Sequence, residues 1–429
     1  MLDRLKKLSL KVRSSEIARG TLWMMLSNGL RLGIQAGYFI LVARGLGVKE
    51  YGELASISAL VTVTFPFSGI GSGEILLRSV SRDSKTFPQA WGYALAITIL
   101  SSVVLTGLLV LVSRILLPQV SSWTVGALAI ADLLFFRLIT TASLAFMGFS
   151  KMRETAYLNL MPGLIRLGVT IAFVFLFTHH STDEWALLYL IATATSASLC
   201  IEKVWAELGK PEFSAFFSLS KLWDGLHFSI GLSAQGTYND IDKLLLANIA
   251  SSEITGAYAA AYRIIDVSFV SVKSLLLATF SKFFKHGADG IVESFRFAKR
   301  TLPVAMMLGG SSSIALLIIS GAIPFFLGQG YATSVEVIQW LAVMPLIKSV
   351  HYIGGDALMG ANLHGTRSMI QIGIAVLNFL LNLWVIPLYS WQGAAVVSLI
   401  SDSLLALIIW STIIMMSRRQ IRQIAKSNI

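Results

Sequence analysis

Apolar residues along this chain fall in runs of about twenty, the length of an α-helix that crosses a hydrocarbon layer. Short polar stretches separate them. Such runs occupy Leu22–Ala43, Gly52–Leu77, Ala90–Val112, Trp123–Met147, Tyr157–Phe177 and Trp185–Trp205. Six more cover Leu226–Ile249, Gly256–Phe280, Leu302–Phe325, Val335–Gly360, Met369–Tyr389 and Gly393–Met416. The pattern predicts an all-α polytopic membrane protein of about twelve transmembrane helices, with connections too short for a soluble domain of ordinary size. The first run is too long for a signal-peptide core and ends on Arg44 instead of a small-residue cleavage site, so it reads as helix one.

Composition agrees with that reading. Hydrophobic residues make up 55% of the 429 and charged residues 13%, against about 25% charged in an average soluble domain. The net charge of +11 would suit a nucleic-acid partner, but the basic residues are dealt out to alternate loops, so no nucleic acid is expected. Arg4, Lys6, Lys7, Lys11 and Arg13, then Arg82, Lys85, Lys151, Arg153, Lys210 and Lys221, fall on one side. Lys282, Lys285, Arg296, Lys299, Arg300, Arg367, Arg418, Arg419, Arg422 and Lys426 join them. The other loops hold Arg44, Lys49 and Arg114. By the positive-inside rule both termini lie in the cytoplasm, in a bacterial inner membrane, which requires an even number of spans. The lone cysteine, Cys200, permits no internal disulfide and reads as a small buried apolar residue.

The polar segment Lys210–Lys221 leaves six spans on each side. This predicts an N-terminal lobe over 1–206, a cytoplasmic linker over 207–221, a C-terminal lobe over 222–416 and a basic tail over 417–429. The lobes read as repeats. LGVKEYGELASISAL after helix one has a counterpart in IASSEITGAYAAAYRI after helix seven, aligning Gly52 with Gly256 and Ala55 with Ala259. LAFMG at Leu144–Gly148 echoes DALMG at Asp356–Gly360, which brings Arg137 within one residue of Lys348. Matches at near-constant offset suit parallel repeats, with the substrate path between them.

Ionisable residues at membrane depth cost several kcal/mol unless they face protein or water, so each is a functional candidate. On helix one, Asn28, Arg31, Gln35 and Tyr38 recur at three or four residues and share a helical face. Helix seven offers His227, Gln235, Tyr238 and Asp242; helix eight offers Tyr262, Arg263, Asp266 and Lys273. Asn159 and Arg166 lie on helix five, and Gln371, Asn378 and Asn382 on helix eleven. The alternative role for such groups is interhelical hydrogen bonding or internal pairing. Helical spacing favours pairing for Asp240 with Lys243 and for Glu74 with Arg78. Arg31, Arg137, Arg166 and Lys348 have no carboxylate at such a spacing, and a cleft holding unpaired cations attracts an anion.

Other chemistries find no support. The chain has no GxxxxGK[ST] phosphate loop, and its six histidines show no metal-ligand spacing. No cofactor, no metal and no enzymatic activity is expected. Pro66 with Gly69, Gly71 and Gly73, and Pro345 with Gly354 and Gly355, predict breaks in helices two and ten that serve either as hinges or as plain kinks.

ARGLGVKEYGELA at Ala43–Ala55, NDIDKLLLANIASSEITGAYAAAYRI at Asn239–Ile264, FFLGQGYATS at Phe325–Ser334 and NFLLNLWVIPLYSWQGAAV at Asn378–Val396 carry a resemblance. The chain resembles, over nearly its whole length, the Wzx-type polysaccharide flippases of the MOP superfamily, which includes MATE exporters and the lipid II flippase. Family members often have Gly after the tyrosine of IPLY, where this chain has Ser390. The resemblance implies two six-helix lobes in a V-shaped arrangement around a cationic cavity. It also implies export of an undecaprenyl-pyrophosphate-linked oligosaccharide to the periplasmic leaflet for O-antigen or other surface polysaccharide. Membrane lipids and polysaccharide polymerase machinery are the partners it suggests. Arg31, Arg137, Arg166, Arg263, Lys273 and Lys348 would meet the pyrophosphate, with Asn28, Gln35, Tyr38, Gln235, Asn378 and Asn382 beside them. Asp266, Asp242 or Asp356 would couple transport to an ion gradient. The competing readings are a MATE-like exporter of drugs or organic cations, whose cavity would favour carboxylates, and a membrane glycan polymerase or ligase, which would need a sizeable outer loop.

The alternating basic loops generate a direct test. Reporter fusions at His180 and Ser390 should read periplasmic, and those at Lys151 and Lys285 cytoplasmic; a cytoplasmic signal at His180 overturns the twelve-span topology.

Overall fold

The computed structural model describes residues 2–178, 180–213, Leu226, Ser229 and 240–427, and leaves out the side chains of residues 2–22, 24, 25, 28, 281 and 424–427. His227, Gln235 and Tyr238 lie outside the described residues. The described chain is almost wholly helical. It forms two compact units, one made of Met1–Leu46 and Leu60–Ser233, the other of Gly47–Ala59 and Ala234–Ile429.

In the first unit, helix α1 (Leu2–Thr64), of which Gly47–Ala59 belongs to the second unit, covers the first expected span and the beginning of the second, because its hydrogen-bonded course passes through one non-helical residue, Gly47 (φ 77°). A 3₁₀ turn at Phe65–Phe67 with Pro66 early in it, then Gly69, Ile70 and Gly71 at positive φ, separates α1 from α2 (Ser72–Arg82). The two helices are bent by 42° there, so the expected break in helix two is present. Helices α3 (Phe87–Leu116), α4 (Ser122–Ile130), α5 (Arg137–Gly148), α6 (Met152–Leu176) and α7 (Thr182–Glu207) follow. A π-helical turn at Ala131–Phe136 joins α4 to α5. The core of this unit packs Trp91, Phe87, Leu76, Phe146, Leu158 and Val204 together with Cys200, which is fully buried.

The second unit contains α8 (240–249), α9 (Ser252–Ser268), α10 (Val270–Gly287), α11 (Ile291–Ile319), the short α12 (Ile323–Leu327), α13 (Ala332–Leu341), α14 (Met344–Gly360) and α15 (His364–Ser427). The segment α13 and the turn before it are bent by 50° against α14, just ahead of Pro345. Gly354 and Gly355 do not contribute to that break. They sit inside α14, where a Cβ would press on Ile409 and Trp410 or on the Arg367 guanidinium, so their role is close helix packing. The core gathers Phe283, Ile353, Ala357, Leu358, Ile409 and Ile413.

Tight crossings at glycines hold this second unit together, as expected where apolar lipid offers helices no hydrophobic drive to associate. A Cβ on Gly287 would overlap the Gly360 carbonyl, and one on Gly360 the Phe283 carbonyl. The crossing of Gly52 with Gly256 is reciprocal. A Cβ on Gly52 would overlap the Ser252 carbonyl oxygen, and one on Gly256 that of Val48. These are the two glycines that the internal repeat aligns, so the repeated segments meet one another backbone to backbone.

Six of the described helices are long and apolar enough to cross a membrane, and up to eight if each bent pair counts as one span. Ile115 (78% exposed), Leu176 (77%), Leu277 (77%) and Phe325 (76%) stand on the outside of these helices. Such a surface needs lipid around it.

Helix α15 spans the last two expected crossings and is interrupted only at Ser390, whose backbone takes φ 51° and ψ −133°. That conformation strains any residue with a Cβ and is free to glycine. The serine hydroxyl buried there has no hydrogen-bond partner among the described residues. Ser390→Gly should therefore stabilise the protein by roughly 1 kcal/mol, read as a higher midpoint of thermal unfolding in detergent; an unchanged or lower midpoint counts against strain at this kink.

Candidate functional site

The π turn of the first unit inserts one extra residue per turn, and it carries Asp132 into the interior. Asp132 Oδ1 accepts a hydrogen bond from the Tyr189 hydroxyl at 2.6 Å and lies 3.8 Å from Nη2 of Arg166. The Arg166 guanidinium sits over two rings, Phe136 at 4.9 Å and Tyr189 at 4.4 Å, and reaches the Thr193 hydroxyl at 3.5 Å. Its Nε is buried without a hydrogen-bond partner among the described residues. One helical turn on, the buried Arg137 pairs with Glu74 of α2 at 3.3 Å and lies over Phe65 at 5.8 Å. Phe65 in turn packs on Phe136 at 6.0 Å, so the two arginines belong to one chain of charge and ring contacts.

These contacts correct two expectations. Arg137 and Arg166 are not unpaired, because helices distant in sequence deliver Glu74 and Asp132 to them. Glu74 pairs with Arg137 and not with Arg78, which is exposed. Asp132, an ionisable residue inside the run Trp123–Met147, was legible by the rule that singled out Arg31, but no local spacing announces its partner or the π turn.

In the second unit a cavity of about 230 Å³ opens among α8, α9, α10, α14 and α15. It collects Arg263, Lys273, Lys348, Asn378, Asp242 and Asp266 from the expected set, with Asp240, Lys243 and Asp402 beside them. Four cations thus face four carboxylates. Lys243 Nζ lies 2.9 Å from Asp240, 3.4 Å from Asp242 and 4.5 Å from the centre of the Tyr262 ring, so the expected pairing of Asp240 with Lys243 is present. Asp242 is buried and also accepts from the Tyr258 hydroxyl at 2.9 Å. Lys348 lies 5.8 Å from the same Tyr262 ring, within the field of Asp402 and Asp266. One turn along α14, His351 Nε2 stands 3.3 Å from Asp402 Oδ1, both side chains buried. Asp402 and His351 were legible by the rule that singled out Arg31: each is an ionisable residue inside an apolar run.

The remaining candidates scatter. Arg31 and Gln35 are exposed on α1, and Arg31 makes no ion pair among the described residues. Tyr38 packs on Trp185 at 6.0 Å. The side chain of Asn28, like all of Gln235, lies outside the described residues. Asn382 donates to Asn378 one turn back along α15, and Asn378 to Ser401 beyond the Ser390 break, each at 3.0 Å, so it is Asn378 that ties the two arms of that helix. Asp356 is away from the cavity, 3.8 Å from Arg367, whose guanidinium also contacts Met359 Sδ.

The Arg166–Asp132 contact is testable by double-mutant cycle. Breaking a fully buried pair costs about 3–5 kcal/mol; with 18% and 24% of the two side chains exposed, Arg166→Gln or Asp132→Asn should each cost roughly 2 kcal/mol. The double variant should fall short of additivity by about 1 kcal/mol or more. Additive shifts in thermal unfolding would mean that the two groups do not interact.

A family model described as "Polysaccharide biosynthesis protein" matches residues 17–285. A probable low-salt glycan biosynthesis flippase of Haloferax volcanii is 23% identical over 90% of this chain and 81% of its own length. A candidate O-antigen transporter of Escherichia coli is 22% identical over 90% of this chain and 94% of its own. Among solved structures, the inward-facing form of a multidrug resistance MATE family transporter of the MOP superfamily superposes with a TM-score of 0.77 at 11% identity, covering 93% of this chain and 96% of that one. A MOP superfamily transporter from Pyrococcus furiosus, whose binding pocket is described as reversed in polarity, gives 0.63 at 13% identity over 94% and 95% of the two chains. The family match over more than half of the residues, with the fold shared end to end, establishes that the chain belongs to the polysaccharide biosynthesis protein family and has the MOP superfamily fold.

Proposed function

We propose that this chain, a flippase of polysaccharide biosynthesis, turns an undecaprenyl-pyrophosphate-linked oligosaccharide from the cytoplasmic to the periplasmic leaflet by ion-coupled alternating access. The family and the relatives named as flippases support the general role. The observation that carries the finer reading is the set of cations lining the cavity of the second unit, Lys348, Arg263 and Lys273; Arg31, exposed on α1, is a further candidate outside that cavity. A pyrophosphate leaving water needs fixed positive charge to replace its hydration, and these side chains supply it. Arg137 and Arg166, already tied to carboxylates, serve better as the frame of the first unit. Asp266 and Asp242 stand beside the cations and are suited to take up a coupling cation; Asp356, held near Arg367 outside the cavity, is less so.

The four carboxylates of the cavity favour a second reading, a MATE-like exporter of organic cations. Deleting the gene separates the two. Precursor accumulating on the cytoplasmic side, with loss of surface polysaccharide, supports the flippase; intact polysaccharide with altered drug tolerance supports the exporter.

Complementation of that deletion then tests the sites. Arg31→Ala and Lys348→Ala should reach the membrane in normal amount yet export at least tenfold less glycan, while Arg31→Lys keeps part of the activity because the charge remains and the planar fork is lost. Arg137→Ala should instead lower membrane abundance, since it leaves Glu74 uncompensated. Normal export by an abundant Arg31→Ala protein removes Arg31 from the site.

A further inference from the structure

One end of the second unit concentrates positive charge that the transport reading does not use. Lys282 and Lys285 lie on the last turns of α10, and Arg296, Lys299 and Arg300 on the first turns of α11. All five are exposed. The end of α15 adds Arg418, Arg419 and Arg422, also exposed. Against these stand Asp289 and Glu293, and Glu293 is taken up by Arg296 at 2.7 Å.

A specific contact brings the three helices together. The side-chain oxygen of Gln420 accepts from the Val292 backbone N–H at 3.3 Å, and its amide donates to the Asp289 carbonyl at 3.5 Å. Gly290 (φ 100°) makes room for it, since a Cβ there would overlap the Gln420 amide. The end of α15 is thereby pinned to the α10–α11 turn, and its arginines to the lysines of both.

Depth identifies the ligand. Between Trp391 and Ser417, Asp402 is the sole charged residue, and between Thr301 and Leu327 there is none. Each stretch exceeds the ~20 residues that cross hydrocarbon, so the basic residues at their ends come to headgroup level. Large apolar side chains flank them: Met415 is 48% exposed and Ile421 52%. A soluble anion would satisfy only the charges, whereas a lipid satisfies the charges and the apolar rim together.

We propose that this basic end of the second unit, assembled by the Gln420 clamp, is a binding surface for anionic phospholipid headgroups. Gln420 is its positioning residue. The surface is distinct from the buried cavity and does not depend on what that cavity carries.

The experiment compares phosphatidylglycerol with phosphatidylcholine on the full-length protein in a neutral detergent, counting bound lipids by native mass spectrometry and following the unfolding midpoint. The wild type should prefer phosphatidylglycerol, and about 0.5 M salt should weaken that preference. Replacing Arg418, Arg419 and Arg422 together by Gln should reduce it at least tenfold, given roughly 1 kcal/mol for each basic residue near an anionic surface. Gln420→Ala, which keeps every charge, should reduce it severalfold by freeing the end of α15. Should the triple variant fold poorly, Lys299→Gln with Arg300→Gln gives the same reading from α11. Equal binding of the two lipids by the wild type, or a preference that survives removal of the arginines, overturns the surface; a full preference in Gln420→Ala overturns the role of the clamp.

Discussion

An ion placed among apolar helices must be compensated on the spot, and this requirement organises both units of the protein. Arg166 is largely withdrawn from solvent, and Asp132, two aromatic faces and a threonine hydroxyl compensate its charge. The same solution recurs with other residues in the second unit, where Lys243 is held by Asp240, Asp242 and the Tyr262 ring. In each case a tyrosine hydroxyl donates to the carboxylate, from Tyr189 to Asp132 and from Tyr258 to Asp242. The ring spreads the positive charge while the hydroxyl steadies the negative one, and neither group needs to leave the bundle.

Compensation of this kind demands helices that approach closely and bend at fixed places. Small residues provide the approach: Gly287 meets the Gly360 backbone, and Gly52 that of Ser252. Bends at Pro66, ahead of Pro345 and at Ser390 re-aim the helices so that polar faces turn inward while Ile115, Leu277 and Phe325 stay outward. The π turn at Ala131–Phe136 is the most economical of these devices, since it rotates Asp132 toward Arg166 without ending the helix.

Much of this was readable beforehand, for reasons that also explain the rest. A run of twenty apolar residues has one stable outcome in lipid, so the all-helical class was legible, and so was the break at Pro66. Gly52 and Gly256 were legible as a repeated position because a close crossing leaves no alternative residue. Long-range pairing was not. Local spacing offered Arg78 to Glu74, and only the packing of α2 on α5 reveals Arg137 as the partner. The Arg166–Asp132 contact was hidden for the same reason, whereas the pairing of Lys243 with Asp240 was visible because it is local. Ser390 stood out as a departure from a familiar motif, and its positive φ supplies the physical meaning of that departure.

The cavity of the second unit alters what the buried cations imply. A surplus of positive charge would bind an anion at any time, and would hold it. With Asp240, Asp242, Asp266 and Asp402 facing Lys243, Arg263, Lys273 and Lys348, the cavity is balanced in charge, and an incoming anion would compete with those carboxylates for the cations. A carboxylate displaced in that way would need a partner of its own, and a cation from solution would be the cheapest one in a site of low dielectric. On the proposed ion-coupled mechanism, binding of an anion and uptake of a cation would then form a single event, and release of one would favour release of the other. On that proposal a balanced cavity suits turnover better than a strongly cationic one, because the affinity gained on loading would not be carried over as a barrier to unloading.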